Sequence, residues 1–569
     1  MALSYIQKSF IGGMNQIYDA TRIGEDQYWL LINGRSRKDT IRPIRNPEIQ
    51  ADGLPMHGLY QGVYSAGKFA IVFVNGNAYY RDYTIPDSIF GKISGFQMSS
   101  TVNYIYTQPV PASTINFKKS LATTDKAGAV RFTSSISKSP QCLVVQDGIN
   151  QPCVIFPNGS WRVTQTYSQW TNSDDDSGNR EYVPIGKEMK WVGGILVVVD
   201  GPFIYRSVTG RPLDFMVNID SNGDKLPNEN EGGVKSVSYA VDFDNITCIS
   251  TIVGGPIGSF LASTVNATYL VIPDYTNLIF GEPTFNIITA SSSGCVNQFS
   301  VLDVLGDTSY ISGRGIGSFN ATQLTQTESN NNPFSASIYP IFENKSKDST
   351  INQDTVCCVR FNDYGFYAVN TKYGYGVVVY DMILQKFVAI DIFDINIVTL
   401  PIKQFAAIKI GSTNKLLFIT DEALYEAFGA ESVAVCKLYP REWCSNDPSI
   451  EQKSMLLSLV FTDSESSGVI DVQMFSDKVL DIKQTETIIK SQSAESVNVS
   501  IPFDSPASDA VQNISLDFGR GRQGWKAGFM ITWDIMCELS HLRLESADIE
   551  TINSFERKAK AYTEIVNGN

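Results

Sequence analysis

The chain has 569 residues, of which 43% are hydrophobic and 11% aromatic, and its formal net charge is −14. This length predicts roughly three or four domain equivalents, and the apolar content excludes global disorder. The acidic balance disfavours stable attachment to nucleic-acid phosphates, which needs clustered Lys and Arg, although DNA could still slide past. Tyr and Phe are abundant whereas helix-forming blocks are scarce, which indicates a mainly β protein.

The nine cysteines are scattered and lack C-x-x-C spacing. This pattern indicates buried free thiols from a reducing compartment rather than a zinc site or a disulfide framework. We expect no secretory leader at Met1 and no membrane insertion, because the longest apolar run, Trp191 to Val199, is too short to cross a bilayer. The chain is therefore expected to fold in a cytoplasm.

Residues 1–55 mix polar turns with short apolar runs and are predicted to form an N-terminal arm or platform strands. A series of β-hairpins begins at Gly58. Its clearest copy lies in the stretch Lys190 to Asp220, where a β-branched run turns at Asp200-Gly201 and returns as Phe203 to Ser207. Seven copies share an apolar strand, an Asn/Asp/Gly turn and an aromatic-bearing strand, with turns near residues 76, 159, 201, 266, 315, 373 and 422.

This spacing predicts an all-β fold with a β-propeller of six to eight blades across residues 56–430, because a four-stranded blade takes roughly 40–50 residues. Two or three separate sandwiches would explain the hairpins but not their shared pattern. We expect an inserted subdomain at about 83–141 and a long polar loop from Gln323 to Asp354. From residue 431 to 569 the pattern changes to a C-terminal β-domain, with a short terminal helix predicted over Ile552 to Ile565.

Enzyme motifs are missing from the sequence. The only histidines, His57 and His541, fall in different predicted domains, and neither accompanies a G-x-S-x-G elbow. The glycine-rich Gly313–Gly317 falls in a predicted hairpin turn rather than before a helix, which argues against a phosphate-binding loop. We therefore predict a protein that is not an enzyme and that carries no cofactor.

One local pattern resembles a calcium-binding loop. Lys225 stands at its sixth position, where the sharp turn demands glycine, and the flanking segments look like strands. An ordinary solvated loop is therefore favoured over a metal site, as it is for the acidic cluster Asp174–Asp176. The candidate metal ligands, at loop positions 1, 3, 5, 9 and 12, are Asp220, Asn222, Asp224, Asn228 and Glu231, with Leu226 at position 7.

Glycan chemistry is the alternative for a propeller. Cleavage requires two facing carboxylates, for which Asp303, Asp307 and Asp363 are candidates. Glycan binding would use aromatic side chains at the hairpins, although packing between blades is the favoured role for those residues. The aromatic candidates are Tyr79, Trp161, Tyr205 and Tyr269.

Four stretches resemble the tail nozzle proteins of short-tailed phages, the group that includes the tail tubular B and packaged-DNA stabilisation proteins. The first combines Gly12 to Asn15 and Asp19 with Leu31 to Arg35, and the second is Gly210 to Phe215 after Tyr205-Arg206-Ser207. The others are Tyr310 to Ile316, and Val377 to Asp381 with Lys386 to Val388. The length and insertions look most similar to the muzzle proteins of crAss-like podoviruses.

The resemblance implies a structural virion protein with a propeller and a platform-like domain. A homohexameric ring of such subunits would lie below the portal and its adaptor ring, contact the tail fibres, and form the channel through which DNA leaves without specific binding. Localisation would be the virion tail, after assembly in the host cytoplasm. The alternative is a glycan-binding or glycan-cleaving propeller, such as a receptor-binding tail protein.

Overall fold

The computed structural model describes most of the chain between residues 2 and 547. The ranges described are 2–37, 39–111, 141–156, 162–165, 183–207, 209–210, 212, 218–219, 225–226, 235–237, 244–252, 255–279, 282–304, 306–319, 334–343, 349–352, 355–444, 453–462, 468–476, 497–503, 512–517 and 526–547. No helix among these residues is long and apolar enough to cross a membrane.

The N-terminal segment contains seven short strands that join different parts of the molecule. Six of them lie with the C-terminal strands or against the sixth blade, and the seventh completes the last blade. They are β1 (Ala2–Gln7), β2 (Gly13–Met14), β3 (Gln27–Tyr28), β4 (Leu30–Ile32), β5 (Gly34–Arg37), β6 (Thr40–Pro43) and β7 (Glu48–Ile49).

The first three blades are antiparallel sheets of four strands. Blade 1 contains β8 (Tyr60–Ala66), β9 (Phe69–Val74), β10 (Asn77–Asp82) and β11 (Gly91–Lys92). Blade 2 contains β12 (Tyr106–Pro111), β13 (Gln141–Gln146), β14 (Cys153–Phe156) and β15 (Arg162–Gln165). Blade 3 contains β16 (Glu188–Val192), β17 (Ile195–Asp200), β18 (Phe203–Arg206) and β21 (Lys235–Val237), and a separate ladder joins β19 (Asn218–Ile219) to β20 (Lys225–Leu226).

Blades 4 to 7 continue the series. Blade 4 contains β22 (Cys248–Thr251), β23 (Phe260–Ser263), β24 (Thr268–Ile279) and β25 (Glu282–Ser291), and the described part of blade 5 contains β26 (Val301–Val304), β27 (Asp307–Ser312) and β28 (Gly315–Ser318). Blade 6 contains β29 (Cys357–Phe361), β30 (Tyr364–Thr371), β31 (Gly374–Asp381) and β32 (Lys386–Asp391). Blade 7 contains β33 (Gln404–Ile410), β34 (Thr413–Ile419), β35 (Leu424–Glu426) and the N-terminal β7. Two 3-10 helices, Gln298–Ser300 and Ala336–Phe342, flank blade 5.

The predicted hairpins form because their turns supply the backbone angles that tight connections require. In blade 1, Asn75 and Gly76 both have positive φ, 50° and 74°, as a type I′ turn demands. A Cβ at Gly76 would stand 2.3 Å from the Met98 carbonyl oxygen, so only glycine fits there. The strands on either side, β9 and β10, pair from Val74–Asn77 outward.

Adjacent blades bury their facing side chains in a succession of apolar clusters. Val72 and Leu417 share the cluster between blades 7 and 1, and Ile71 and Leu143 that between blades 1 and 2. Similar clusters join blades 2 to 3 and 3 to 4. The ring closes where β33 of blade 7 packs against β8 of blade 1. The predicted all-β propeller is thus confirmed, and the described residues form seven blades.

The C-terminal strands build a two-sheet platform together with N-terminal strands. One sheet has the order β41-β38-β43-β6-β5, with β1 also on β43; the other continues the sheet of blade 6 through β4-β36-β42-β39-β40. Phe461 and Trp533 meet edge to face between the sheets, with ring centroids 5.6 Å apart. The strands are β36 (Cys436–Tyr439), β37 (Trp443–Cys444), β38 (Lys453–Thr462), β39 (Gly468–Ser476), β40 (Val497–Phe503), β41 (Gln512–Asp517), β42 (Lys526–Trp533) and β43 (Glu538–Ala547).

The structure shifts two of the expected boundaries. Residues 83–111, expected in the insertion at about 83–141, instead contribute β11 to blade 1 and β12 to blade 2, whereas 112–140 lie outside the described residues. The expected loop Gln323 to Asp354 contains the 3-10 helix Ala336–Phe342. The terminal helix expected over Ile552 to Ile565 lies outside the described residues.

Candidate functional site

The first candidate site is a cavity of about 400 Å³ at the centre of the propeller, called here the axial cavity. Its walls come from β8, β12, β16, β22, β26 and β33, the first strands of six blades, and from the 3-10 helix before blade 5. The residues used below as its lining are Thr107, Glu188, Lys190, Gln298, Phe299 and Gln404.

Glu188 is the most deeply placed charged residue of this lining, with only 6% of its surface exposed. Its Oε1 accepts a hydrogen bond of 2.5 Å from the Ile249 backbone N–H, which links blade 3 to blade 4. Its Oε2 is buried and has no hydrogen-bond partner among the described residues. Burial raises the pKa of Glu188 well above its ordinary value, and the Ile249 hydrogen bond, the Lys190 charge and the Cys248 thiol oppose that rise.

Two other polar groups border the same space without a partner among the described residues. The Thr107 hydroxyl is buried with no hydrogen bond. Lys190 lies two residues after Glu188, on the same face of β16, and is half-buried without an ion pair in the described structure. A carboxyl group, a hydroxyl and an ammonium group therefore border one cavity with unused hydrogen-bonding capacity.

Aromatic rings flank these polar groups. Phe299 lies near-parallel to Tyr106 at a centroid distance of 6.1 Å and stands 5.2 Å from Tyr104. The Lys403 ammonium lies 5.0 Å from the Tyr104 centroid, donates to the Tyr60 carbonyl, and pairs with Asp421 at 2.9 Å. Burial lowers the pKa of Lys403, and Asp421 opposes that change. This second lysine thus has its partners already, which distinguishes it from Lys190.

The second candidate site is the junction between the platform and blade 6, called here the blade 6 junction. β4 pairs in parallel with β32 through Ile32 and Ile390. Asn33 adopts the left-handed conformation, φ 55°, which Asn tolerates better than most residues. Its side chain donates to the carbonyls of Ile392 and Val435, at 3.0 and 3.1 Å, and accepts from the Ile392 N–H at 2.8 Å.

A buried ion pair reinforces the blade 6 junction. Arg35 binds Asp391 through two parallel hydrogen bonds of 2.7 and 2.5 Å, and only 1% of the Asp391 side chain is exposed. The Arg35 guanidinium also lies 5.5 to 5.7 Å from the ring centroids of Tyr364, Phe366 and Phe428. A bidentate, ring-supported arginine fixes both distance and orientation between the two parts of the molecule.

Further N-terminal residues tighten the same contact. The Tyr28 hydroxyl donates to the Val388 carbonyl at 2.7 Å. Gly13 has φ 74°, and a Cβ there would stand 2.7 Å from Lys386 Cβ, so glycine permits the close approach of β2 to β32. The Gln16 N–H donates to the Ser337 carbonyl at 2.7 Å.

Two of the four stretches that resemble tail nozzle proteins meet at this junction, and a third reaches it through the 3-10 helix Ala336–Phe342. The N-terminal stretch contacts the stretch of Val377 to Asp381 and Lys386 to Val388 directly, because Gly13 lies against Lys386 and Phe387. The 3-10 helix Ala336–Phe342 connects the stretch Tyr310 to Ile316 to the N-terminal segment. Ser335 exchanges hydrogen bonds with Ile316, and the Ser337 carbonyl accepts a hydrogen bond from the Gln16 N–H. The remaining stretch, Gly210 to Phe215, follows blade 3, where Ser207 Oγ accepts a hydrogen bond from the Leu196 N–H at 2.8 Å. Residues 211 and 213–215 of this stretch lie outside the described part.

The predicted metal ligands are not placed by the structure. Asp220, Asn222, Asp224, Asn228 and Glu231 lie outside the described residues, as does Asp174–Asp176. The segment just before the first loop pairs with the loop itself, Asn218 with Leu226 and Ile219 with Lys225, which stand at its seventh and sixth positions. No group of three or more potential metal ligands of the His, Cys, Asp and Glu types occurs within the described ranges.

The candidate carboxylates for glycan cleavage have separate surroundings. Asp307 accepts a hydrogen bond from Ser318 within blade 5, Asp363 pairs with Arg37 beside blade 6, and Asp303 is exposed. The histidines are also apart, since His57 is exposed before blade 1 and His541 lies in β43 of the platform. Among the aromatic candidates, Tyr79 and Tyr205 pack against inter-blade clusters, Tyr269 is buried, and Trp161 lies outside the described residues.

The axial cavity was not predicted from the sequence, although Glu188 and Lys190 gave a signal. Glu188 and Lys190 stand at alternate positions of β16, so both side chains lie on the same face of that strand, and β16 comes directly before the buried apolar strand β17. All eight cysteines with described side chains are free thiols, and seven are buried, in accord with the sequence-based expectation.

No protein-family model matches the chain, and no curated protein matches it. Solved structures with similarity include Saccharomyces cerevisiae Sqt1, at 11% identity and a TM-score of 0.34, covering 68% of this chain and 99% of that one. Another is KlHsv2 with loop 6CD replaced by a Gly-Ser linker, at 8% identity and a TM-score of 0.28, covering 71% of this chain and 95% of that one. A third is a chain of the Mitotic Checkpoint Complex, at 8% identity and a TM-score of 0.32, covering 70% of this chain and 97% of that one. These likenesses concern the fold alone.

Proposed function

We propose that this chain is a structural subunit of the tail nozzle of a short-tailed phage, working as a homohexameric ring below the portal and its adaptor. Its role is to form the distal channel through which the genome leaves, and to contact the tail fibres. The observation that carries the proposal is the blade 6 junction, where two of the stretches that resemble the nozzle family are in contact and a third reaches them through the 3-10 helix Ala336–Phe342.

The architecture of the junction suits a mechanical part. Strands from both ends of the chain build the platform, and a continuous sheet runs from blade 6 into it. Asn33 and Arg35 hold this connection with buried hydrogen bonds, so a load on the platform reaches the propeller through packed backbone rather than through a flexible linker. Such rigidity fits a conduit that must keep its bore while DNA passes.

Charge supports the same role. A net charge of −14 weakens attachment to DNA phosphates, because like charges repel and no cation excess is available to replace counterions. A nozzle has to release the DNA that it guides. We therefore expect binding of duplex DNA by the purified ring to stay undetectable at physiological salt.

Quantitative mass spectrometry on purified particles tests the proposal through copy number. A sixfold ring beneath a twelvefold portal predicts about half as many copies of this chain as of the portal protein. Copies in multiples of three that follow the fibre proteins would favour a receptor-binding role instead. Absence of the chain from purified particles would refute the nozzle assignment.

A further inference from the structure

The axial cavity combines features that a structural propeller does not require. Its volume of about 400 Å³ lies within the range of small-molecule sites. Its lining places the unpartnered Oε2 of Glu188 and the unpartnered hydroxyl of Thr107 near Lys190, which has no ion pair in the described structure. Buried polar atoms without partners cost free energy, so each of them requires an explanation.

We propose that the axial cavity is a binding site for a small amino-acid zwitterion. The ligand's ammonium group would pair with Glu188 and donate to the Thr107 hydroxyl, and its carboxylate would pair with Lys190. This site is independent of the ring role proposed above and could exist in a propeller of any function.

Charge balance selects a ligand with both groups. A simple cation would satisfy Glu188 but would meet repulsion from Lys190, and a simple anion would have the reverse problem. Both residues lie on one face of β16, two positions apart, and yet they form no ion pair with each other. A zwitterion can bridge such a separated pair with one charge for each residue.

The geometry also fixes where Glu188 can be reached. Its Oε1 is held by the Ile249 N–H, and because the carboxyl group is planar this bond also fixes Oε2, which an incoming ammonium group would meet in that position. Burial raises the pKa of Glu188, and a bound ammonium group would favour the charged carboxylate again.

The aromatic part of the lining indicates which side chain the ligand carries. Phe299 borders the cavity beside Tyr106, with their rings near-parallel. A flat apolar side chain would stack there and remain clear of the polar end, since offset stacking contributes beyond simple burial. Phenylalanine is therefore the natural first probe.

Three probes separate the contributions of the two charges. L-Phenylalanine carries both groups, phenethylamine carries only the ammonium group, and 3-phenylpropionate carries only the carboxylate. Saturation-transfer NMR and calorimetry on the full-length chain, with probes up to about 10 mM, should give the tightest binding for L-phenylalanine. Because one charge-assisted hydrogen bond contributes about 1.5–3 kcal/mol, each single-group probe should bind at least about tenfold more weakly.

Two variants assign the charges. Glu188→Gln keeps an acceptor for the Ile249 N–H and should weaken L-phenylalanine and phenethylamine about tenfold, whereas 3-phenylpropionate, freed from the repulsion of Glu188, should bind no more weakly than before. Lys190→Met should weaken L-phenylalanine and 3-phenylpropionate about tenfold, whereas phenethylamine should bind no more weakly than before. Because Lys190 is only half-buried, this variant keeps the test valid if Glu188→Gln misfolds. Lys187→Met, at an exposed position outside the cavity lining, is the matched control and should change none of the three affinities.

Two outcomes would overturn the proposal. One is the absence of saturable binding of all three probes to a folded protein. The other is L-phenylalanine binding that is no tighter than that of its single-charge analogues, or that is unaffected by Lys190→Met. Neither outcome depends on copy number in particles, so failure here is distinguishable from failure of the nozzle proposal.

Discussion

Replacement of Arg35 by Met is expected to loosen the blade 6 junction more than any exposed ion-pair variant. The substitution keeps an apolar stem against Tyr364, Phe366 and Phe428 but removes both hydrogen bonds to Asp391. Since only 1% of the Asp391 side chain is exposed, its carboxylate would remain buried without its main partner.

The magnitude follows from that burial. Removal of one partner of a buried pair costs about 3–5 kcal/mol, whereas replacement of both partners by apolar residues of similar size is often near neutral. Arg35→Met should therefore lower the local opening free energy of β4 and β32 by about 3–5 kcal/mol. The double variant Arg35→Met/Asp391→Leu should recover most of that loss. Arg35→Lys keeps the charge but not the bidentate geometry, and should fall between them.

Native-state hydrogen exchange measures this quantity directly, because it reports opening free energies segment by segment. Peptides that cover β4 and β32 should show the loss, and those from blade 2 should not. Lys68→Met is the matched control: it breaks the Lys68–Asp82 pair of 2.6 Å, in which the lysine side chain is 48% exposed, and should cost at most about 1 kcal/mol. An Arg35→Met effect no larger than this control, or a double variant as unstable as the single one, would refute the reasoning.

Two further predictions concern backbone and pH. Gly193→Ala should destabilise the fold by several kcal/mol more than Gly67→Ala. Both glycines have positive φ, but an added Cβ at Gly193 would stand 2.2 Å from Gly258 Cα, whereas Gly67 faces open space. Chemical denaturation of the two variants measures the difference in unfolding free energy, and equal losses would contradict the prediction. Burial lowers the pKa of Lys372 to about 8, so between pH 8 and the usual lysine pKa near 10.4 the unfolded chain binds a proton that the folded chain has released, and stability from this group rises with pH. Lys372→Met should remove that rise, which thermal midpoints at pH 7.5 and 9.5 would show; an unchanged pH dependence would contradict the assignment.

The sequence predicted the blades because their determinants are local. Asn75-Gly76 and Asp200-Gly201 define turns by backbone preference, and the apolar runs before them define strands by their composition. Six of the seven predicted turns lie between paired strands of a blade, and the seventh, near residue 159, lies outside the described residues, between the paired strands β14 and β15. Local turn and strand preferences of this type can be recognised in a single sequence, and they were sufficient to predict the all-β propeller.

Pairings between distant segments could not be predicted in the same way. β7 is a two-residue strand with both side chains exposed, so no periodicity identifies it as the fourth strand of blade 7. β4 lies more than three hundred residues from its partner β32, and neither segment contains a sequence feature that predicts pairing with the other. The axial cavity has the same limitation, because its lining comes from six blades and only Glu188 and Lys190 carry a local signal.

A reconstruction of the intact particle by electron cryo-microscopy tests the central claim most directly. We predict six copies of this chain at the distal end of the tail, each with a seven-bladed propeller joined to its platform through the sheet of blade 6. Density for this chain within the fibres, or a distal tail ring built from a different protein, would contradict it.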